Sequence, residues 1–123
     1  MNKLNTLEEL ISLRGKRALI TGAAGGIGKA IACRFAEAGA DLELVDRDGE
    51  TLAAAGSELS GYGVSVRSHV VDLSRKEEID ALWESLDGVE PDILVNNAGI
   101  YPFRQFVDCD EAFVRQVMEI NLF

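Results

Sequence analysis

The sequence predicts an α/β fold in which a doubly wound parallel sheet is covered by helices on both faces. Two observations predict it. Apolar residues alternate along the chain between strand spacing and helix spacing, so that strands and helices follow one another in turn. The links between these segments are short, which implies right-handed crossovers between parallel strands. The expected strand order is 3-2-1-4.

The first half of the chain predicts two strands and two helices. Residues 17–21 form an apolar run that is typical of a buried strand. Residues 26–38 predict a helix that ends at Gly39. The apolar positions of this helix recur every fourth residue, at Ile27, Ile31 and Phe35. Residues 41–46 predict the second strand, and the alanine-rich residues 49–60 predict the second helix.

The third strand is predicted at residues 64–71, which are rich in valine. His69, the only histidine of the chain, lies in this strand and is interpreted as structural. Ser74 and Glu77 have the spacing of a capping box, which predicts that a helix begins at Ser74. The buried side of that helix is expected to consist of Ile79, Leu82, Trp83 and Leu86.

A fourth strand and a last helix are predicted near the end of the chain. Residues 93–95 predict a fully buried strand, and the helix is expected to begin near Asp108 or Asp110. The apolar face of this helix would hold Phe113, Val114, Val117, Met118 and Ile120. No glycine, proline or basic turn ends the helix before Phe123. We therefore expect a sheet truncated after its fourth strand, within the helix that follows.

The composition excludes several classes of protein. A chain of 123 residues with 47% apolar and 27% charged residues predicts one globular domain. The net charge of −9 argues against nucleic acid or an anionic membrane as a partner. No apolar run is long enough to span a membrane, and residues 1–17 lack the apolar centre of a signal peptide. We expect a cytoplasmic protein, and Cys33 and Cys109 predict neither a disulfide nor a metal site.

A glycine-rich turn, Thr21 to Gly28, lies between the first predicted strand and the first predicted helix. Glycines let the backbone approach a pyrophosphate closely, and the free N–H groups and dipole of a helix start favour an anion. An ordinary glycine-rich loop is the alternative interpretation. A P-loop is not predicted, because Lys29 is followed by Ala30 where that motif needs serine or threonine.

Asp46 lies at the carboxyl end of the second predicted strand, 18 residues after Gly28, close to the spacing of about 20 residues expected in dinucleotide-binding folds. This spacing is expected of an acidic group that accepts hydrogen bonds from the adenosine ribose of a dinucleotide. A solvated turn acid beside Arg47 is the alternative. With the glycine turn upstream, we interpret residues 15–123 as an incomplete dinucleotide-binding domain and residues 1–14 as an N-terminal extension. Asp46 favours NAD over NADP, whereas Arg47 could turn towards a 2′-phosphate.

From Leu13 onward the chain resembles the short-chain dehydrogenase/reductase family, in its shorter reductase branch. Thr21, Gly22, Gly26 and Gly28 fit the glycine motif of that branch, and Asn96-Asn97-Ala98-Gly99 directly after the fourth strand is its more specific signal. Asp72-Leu73 resembles the pair that contacts adenine. Gly25 lies where NADP-preferring relatives often carry a basic residue.

The resemblance implies a Rossmann-like fold, a nicotinamide cofactor and hydride transfer between NAD(H) and a carbonyl or secondary alcohol. It implies cofactor-binding roles for Thr21, Gly22, Ala24, Gly25, Gly26, Ile27, Gly28, Asp46, Arg47, Asp72, Leu73, Asn97, Ala98 and Gly99. Asn121 resembles the helix asparagine of the family's catalytic tetrad, which distorts its helix and orders a water in a proton relay. For the complete protein we expect a small alcohol or ketone substrate and a homo-oligomer, either a dimer or a tetramer.

The chain departs from the family pattern in its proton donor. In the family, a tyrosine four residues before a lysine donates the proton, and a serine lies upstream. Four residues after Tyr62 and Tyr101 stand Val66 and Gln105. We therefore expect the catalytic serine, tyrosine and lysine beyond the last residue given, so that this chain alone is inactive. The alternative function is a non-catalytic dinucleotide-binding or interaction module.

Overall fold

A computed structural model of the chain describes residues 4–100 and 104–121. Its sheet consists of four parallel strands: β1 (Arg17–Thr21), β2 (Asp41–Asp46), β3 (Val66–Val70) and β4 (Ile93–Val95). The strand order is β3-β2-β1-β4, which confirms the predicted order. All four carboxyl ends therefore lie along one edge of the sheet, where ligands bind in open α/β folds.

The described residues contain five α-helices: α1 (Leu7–Ile11), α2 (Gly26–Glu37), α3 (Gly49–Leu59), α4 (Lys76–Ser85) and α5 (Glu111–Asn121). The alternation of strands and helices confirms the predicted α/β class. Asp110, one of the two predicted starts of the last helix, accepts a hydrogen bond from the amide of Phe113 at 2.8 Å and so caps α5.

The first face of the sheet packs closely against α2 and α3. The buried side of α2 consists of the small residues Gly28, Ala32 and Ala36. Of the predicted apolar positions, Ile31 and Phe35 pack at the margin of the core, whereas Ile27 is 73% exposed. Small residues are buried because the helix lies close to the strands beneath it.

The second face of the sheet carries a smaller core formed with α4: Leu19, Val45, Val71, Leu82 and Leu86. The predicted buried side of α4 is correct for Leu82 and Leu86 but wrong for Trp83, which is 44% exposed. The prediction of a fully buried fourth strand is also wrong, since Leu94 is 48% exposed. Among the described strands β4 pairs with β1 alone, so it lies at an edge of the sheet.

The predicted capping box at Ser74 and Glu77 is wrong. The hydroxyl of Ser74 donates to Asp72 Oδ1 at 2.7 Å, so it does not cap a helix, and α4 begins two residues later. A capping box does occur at Thr6 and Glu9, where it starts the short α1 that the sequence analysis left unassigned. Local competition for the serine hydroxyl accounts for the difference.

A buried ion cluster lies on the second face of the sheet, centred on Glu43 of β2. Its carboxylate is fully buried and accepts hydrogen bonds from Arg67 Nε at 2.8 and 3.0 Å. Arg17 Nη1 lies 3.5 Å and His69 Nε2 lies 3.6 Å from the Glu43 oxygens. His69 thus lies within this structural cluster, in agreement with its interpretation as a structural residue.

None of the helices in residues 4–100 and 104–121 is long and apolar enough to cross a membrane. Within the same residues, no three His, Cys, Asp or Glu side chains come together as metal ligands would. Cys33 and Cys109 are both free thiols.

Candidate functional site

The glycine-rich turn connects β1 to α2 and exposes the start of the helix. Gly22 and Gly26 adopt the left-handed backbone conformation, with φ of +68° and +57°, which side chains rarely allow. Gly25 is the N-cap residue of α2, and its carbonyl oxygen accepts the amide of Lys29 at 3.3 Å. The amides of the first turn of α2 precede that bond and have no helical acceptors. They provide donors for an anion at the edge of the sheet.

Gly28 brings α2 into contact with the end of β1. A methyl group at this position would overlap the carbonyl oxygen of Gly22 and lie 2.6 Å from Asn97 Nδ2. Gly22 is similarly crowded, because a Cβ there would lie 2.8 Å from Asn97 Nδ2. The two glycines therefore allow the turn to pack directly against the residues that follow β4.

Thr21 and Asn97 link the ends of β1 and β4. The hydroxyl of Thr21 accepts the backbone amides of Asn97 at 3.0 Å and Ala98 at 2.9 Å. The side-chain amide of Asn97 donates to the carbonyl oxygens of Thr21 at 3.2 Å and Gly22 at 3.4 Å. These side chains thus brace the two strand ends and hold the backbone of the Asn-Ala-Gly segment in place.

The carboxylate of Asp46 joins the glycine-rich turn to the end of β2. One oxygen accepts the amide of Ala24 at 3.0 Å, and the other accepts the amide of Asp48 at 3.2 Å. Each carboxylate oxygen can accept two hydrogen bonds. Asp46 is therefore held in a fixed orientation by the backbone and retains capacity for further donors.

Asp72 lies two residues beyond the end of β3. The amide of Ser74 donates to Asp72 Oδ1 at 2.9 Å, in addition to the bond from its hydroxyl. These two hydrogen bonds, the hydroxyl one first, lower the pKa of the Asp72 carboxyl, and the charges of Arg47 and Arg75 lower it further. A charged carboxylate therefore lies at the end of this strand too.

Asn121, the last described residue, is bound to the segment after β4. Its Oδ1 accepts the amide of Ile100 at 2.6 Å, and its Nδ2 donates to the carbonyl oxygen of Ile100 at 2.7 Å. Gly99 lies beside this pair, and a Cβ there would be 3.1 Å from Asn121 Oδ1. The two bonds tie the end of α5 to the segment that leaves the sheet.

Two adjoining cavities open along this edge of the sheet. The one beside the glycine-rich turn has a volume of about 520 Å³, and it is lined by Gly22, Gly25, Gly26, Ile27, Asp46, Asn97, Ala98, Gly99, Ile100 and Asn121. The one beside β3 has a volume of about 240 Å³, and it is lined by Gly22, Val45, Asp46, Arg47, Val71, Asp72, Leu73, Ala98, Gly99, Ile100 and Ile120.

The structure brings the predicted site residues together at these cavities. Thr21, Ala24 and Gly28 line neither cavity but hold the turn in place, as described above. Four apolar residues that were not predicted from the sequence also line the smaller cavity: Val45, Val71, Ile100 and Ile120. Val45 directly precedes Asp46, and Val71 directly precedes Asp72. These positions would have indicated the two valines as cavity residues.

Comparisons with known proteins identify the family of the chain. The family model of short chain dehydrogenases matches residues 16–123. A short chain dehydrogenase/reductase of Gibberella zeae, dpfgG, is 39% identical over 117 residues, which cover 93% of this chain and 43% of that protein.

Two solved structures are similar as well. The L-sorbose reductase of Gluconobacter frateurii, complexed with NADPH and L-sorbose, superposes with a TM-score of 0.85 at 36% identity, covering 91% of this chain and 44% of that one. An NAD⁺-bound xylitol dehydrogenase superposes with a TM-score of 0.82 at 36% identity, covering 89% and 43%. The chain spans less than half the length of each of these three proteins. Since the family model covers nearly all of its residues, the chain belongs to the short-chain dehydrogenase/reductase family of oxidoreductases.

Proposed function

We propose that this chain is the NAD-binding part of an oxidoreductase that transfers a hydride between NAD(H) and a carbonyl or secondary alcohol. The observation that carries the proposal is the convergence of a glycine-rich helix start and a backbone-anchored carboxylate, Asp46, on one cavity. In this proposal residues 15–123 form the cofactor-binding domain and residues 1–14 precede it.

The described residues fit such a cofactor in three places. The amides at the start of α2, from Gly25 to Ile27, would hold the pyrophosphate. Asp46 would accept the adenosine ribose hydroxyls, and Asp72 and Leu73 would lie beside the adenine. When bound, the nicotinamide supplies the hydride chemistry, and the protein supplies orientation and charge.

Asn121 is proposed as a member of the catalytic machinery of the complete protein. Both polar atoms of its side chain are bound to the backbone of Ile100. Its contribution would therefore be to hold the segment after β4 where the cofactor passes. Substrates would be small alcohols or ketones, and the sugar and polyol named for the two solved relatives support that class.

NAD is the proposed cofactor rather than NADP, although the solved relatives include binders of each. A 2′-phosphate would place its negative charge against the Asp46 carboxylate and would remove a hydroxyl donor. A hydrogen bond to a charged group contributes about 1.5–3 kcal/mol, so its loss corresponds to about a tenfold or larger effect. Gly25 offers no counter-charge.

Asp46→Ala in the full-length protein is expected to lower kcat/KM for NAD by about tenfold or more and to abolish the preference over NADP. The measurement is kcat/KM with NAD and with NADP, for the unsubstituted protein and for the variant. Asp87→Ala is the matched control, because Asp87 is exposed and lies away from the cavities. A full-length protein that prefers NADP, or an Asp46→Ala variant with an unchanged preference, would show that Asp46 does not bind the ribose.

The 123-residue chain alone is expected to show no dehydrogenase turnover. It contains no tyrosine followed four residues later by lysine, so it lacks the family's proton donor. The measurement is NADH formation or consumption by the purified chain with alcohols and ketones, compared with a mock purification that reports host reductases. Turnover above that blank would contradict this expectation. A full-length protein that binds NAD without turnover would favour the alternative function, a non-catalytic dinucleotide-binding module.

We also propose that the complete protein is a homo-oligomer, either a dimer or a tetramer. The apolar face of α5 supports this, because Val114 is 51% exposed and Met118 is 41% exposed.

A further inference from the structure

The turn between β3 and α4 contributes Val71, Asp72 and Leu73 to the lining of the smaller cavity. The turn is closed on itself, because the amide of Arg75 donates to the carbonyl oxygen of Asp72 at 3.0 Å and Ser74 donates twice to Asp72 Oδ1. These bonds give the turn its shape. The amide of Asp72 takes no part in them and needs another acceptor.

Glu78, in the first turn of α4, supplies that acceptor. Its Oε1 accepts the amide of Asp72 at 3.2 Å, across six positions of the sequence. Its Oε2 lies 3.4 Å from Nε of Arg75, so the carboxylate spans both ends of the turn. Glu77 also pairs with Arg75, at 2.9 Å, but the amide of Asp72 is bound by Glu78. The side chain of Glu78 thus ties the turn to α4.

The turn held in this way has one acceptor and one donor to spare. Within residues 4–100 and 104–121, no group donates to Asp72 Oδ2, and none accepts from the amide of Leu73. The Watson–Crick edge of adenine carries the complementary pair, an amino donor beside a ring-nitrogen acceptor. Hypoxanthine reverses this pair, because a carbonyl oxygen replaces the amino group and the ring nitrogen is protonated.

We propose that Glu78 is a positioning residue that fixes the acceptor of Asp72 relative to the donor of Leu73 and so determines the preference for an adenine dinucleotide over a hypoxanthine dinucleotide. The inference rests on the proposed function, because it assumes that the adenosine half of a dinucleotide occupies the smaller cavity. Without the bond to Glu78, the turn can shift relative to α4. Two hydrogen bonds to one base require both protein groups in place at once, so such a shift weakens recognition of the base.

The test is the Kd of NADH and the Kd of reduced nicotinamide hypoxanthine dinucleotide, measured on the full-length protein by the fluorescence of the dihydronicotinamide ring. The unsubstituted protein is expected to bind NADH about tenfold or more tightly, since hypoxanthine would place like groups opposite each other. Glu78→Ala is expected to lower this ratio by about threefold or more. Glu77→Ala, the matched control, removes the other partner of Arg75 and should change the ratio by less than about twofold.

Two conservative variants separate the reach of Glu78 from its charge. Glu78→Gln keeps a side-chain oxygen at the same reach and should change the ratio by less than about twofold. Glu78→Asp keeps the charge but is one methylene shorter, so it should lower the ratio as Glu78→Ala does. If Glu78→Ala does not fold, these two variants decide.

A ratio that falls in Glu78→Gln, or one that is kept in Glu78→Asp, would overturn the inference, since an acceptor at the right reach would not be what matters. Equal losses of affinity for both dinucleotides in Glu78→Ala would overturn it too, because they would report a general loss of structure. An unsubstituted protein that binds both dinucleotides equally would overturn the inference and leave the proposed function standing. Absence of binding by both dinucleotides would overturn the proposed function itself.

Discussion

Gly28→Ala is expected to weaken dinucleotide binding by more than about tenfold and to destabilise the domain by about 1–3 kcal/mol. The added methyl group would overlap the carbonyl oxygen of Gly22, and it would lie 2.6 Å from Asn97 Nδ2. Both neighbours are held in place, because Asn97 is bound to Thr21 and Gly22. To relieve this overlap, α2 must move away from the strand ends. The anion-binding amides at the start of α2 then move with it.

Gly61→Ala is the matched control for this substitution. A Cβ added at Gly61 would meet open space, and the φ of Gly61 is not left-handed. The free energy of unfolding of the Gly61→Ala protein should therefore differ from that of the unsubstituted protein by about 0.5 kcal/mol or less. Binding is measured by titration calorimetry with NAD, and stability by urea denaturation. A Gly28→Ala protein that binds NAD as the unsubstituted protein does would contradict the close packing of the turn against Asn97.

Among the substitutions proposed, Glu43→Gln is expected to lower the free energy of unfolding most, by about 3 kcal/mol. The Glu43 carboxylate is fully buried and is bound by Arg67, with Arg17 and His69 close by. Removing its charge leaves the guanidinium groups of Arg17 and Arg67 without a negatively charged partner. We expect the lower end of the range for broken buried pairs, because the Arg67 side chain is 43% exposed and can reach water.

Glu37→Gln provides the comparison for Glu43. Glu37 pairs with Arg34 on the surface, where the two side chains are 43% and 81% exposed. Such pairs contribute about 0–1 kcal/mol, so this variant should unfold at nearly the original urea concentration. Equal losses of stability in the two variants would show that the buried cluster has no special role in stability.

The predictions that succeeded rest on short-range patterns. The strands were correctly placed because each contains branched apolar residues and is bounded by turn residues, and their alternation with helices indicates a parallel sheet. The glycine-rich turn and Asp46 were identified from spacing, and both line the same cavity, while their roles in binding a cofactor stay predictions. These features depend on neighbouring residues, which the sequence displays directly.

The predictions that failed depend on the distance between helix and sheet and on competing hydrogen-bond acceptors. The spacing of apolar residues reports neither of them. The spacing of Ser74 and Glu77 gave no sign that Asp72 takes the serine hydroxyl. The pattern of α2 identified its large apolar residues, but the close approach to the sheet selects small ones, Ala32 and Ala36, for burial.

Hydrogen bonds between residues far apart in the sequence could not be predicted from local patterns either. The bonds between Asn121 and Ile100 join residues 21 positions apart. The bonds between Asn97 and Thr21 join residues 76 positions apart. These asparagines could be singled out only through resemblance to a family, since no local pattern indicates what their side chains would contact.

The role of Asp46 in cofactor binding is tested most directly by the distance between its carboxylate and the adenosine ribose in a crystal structure of the full-length protein with bound NAD⁺. We predict hydrogen bonds of about 2.5–3.0 Å from the ribose hydroxyls to Asp46, with the pyrophosphate at the start of α2. A ribose held by other residues, or a cofactor bound away from this edge of the sheet, would contradict it.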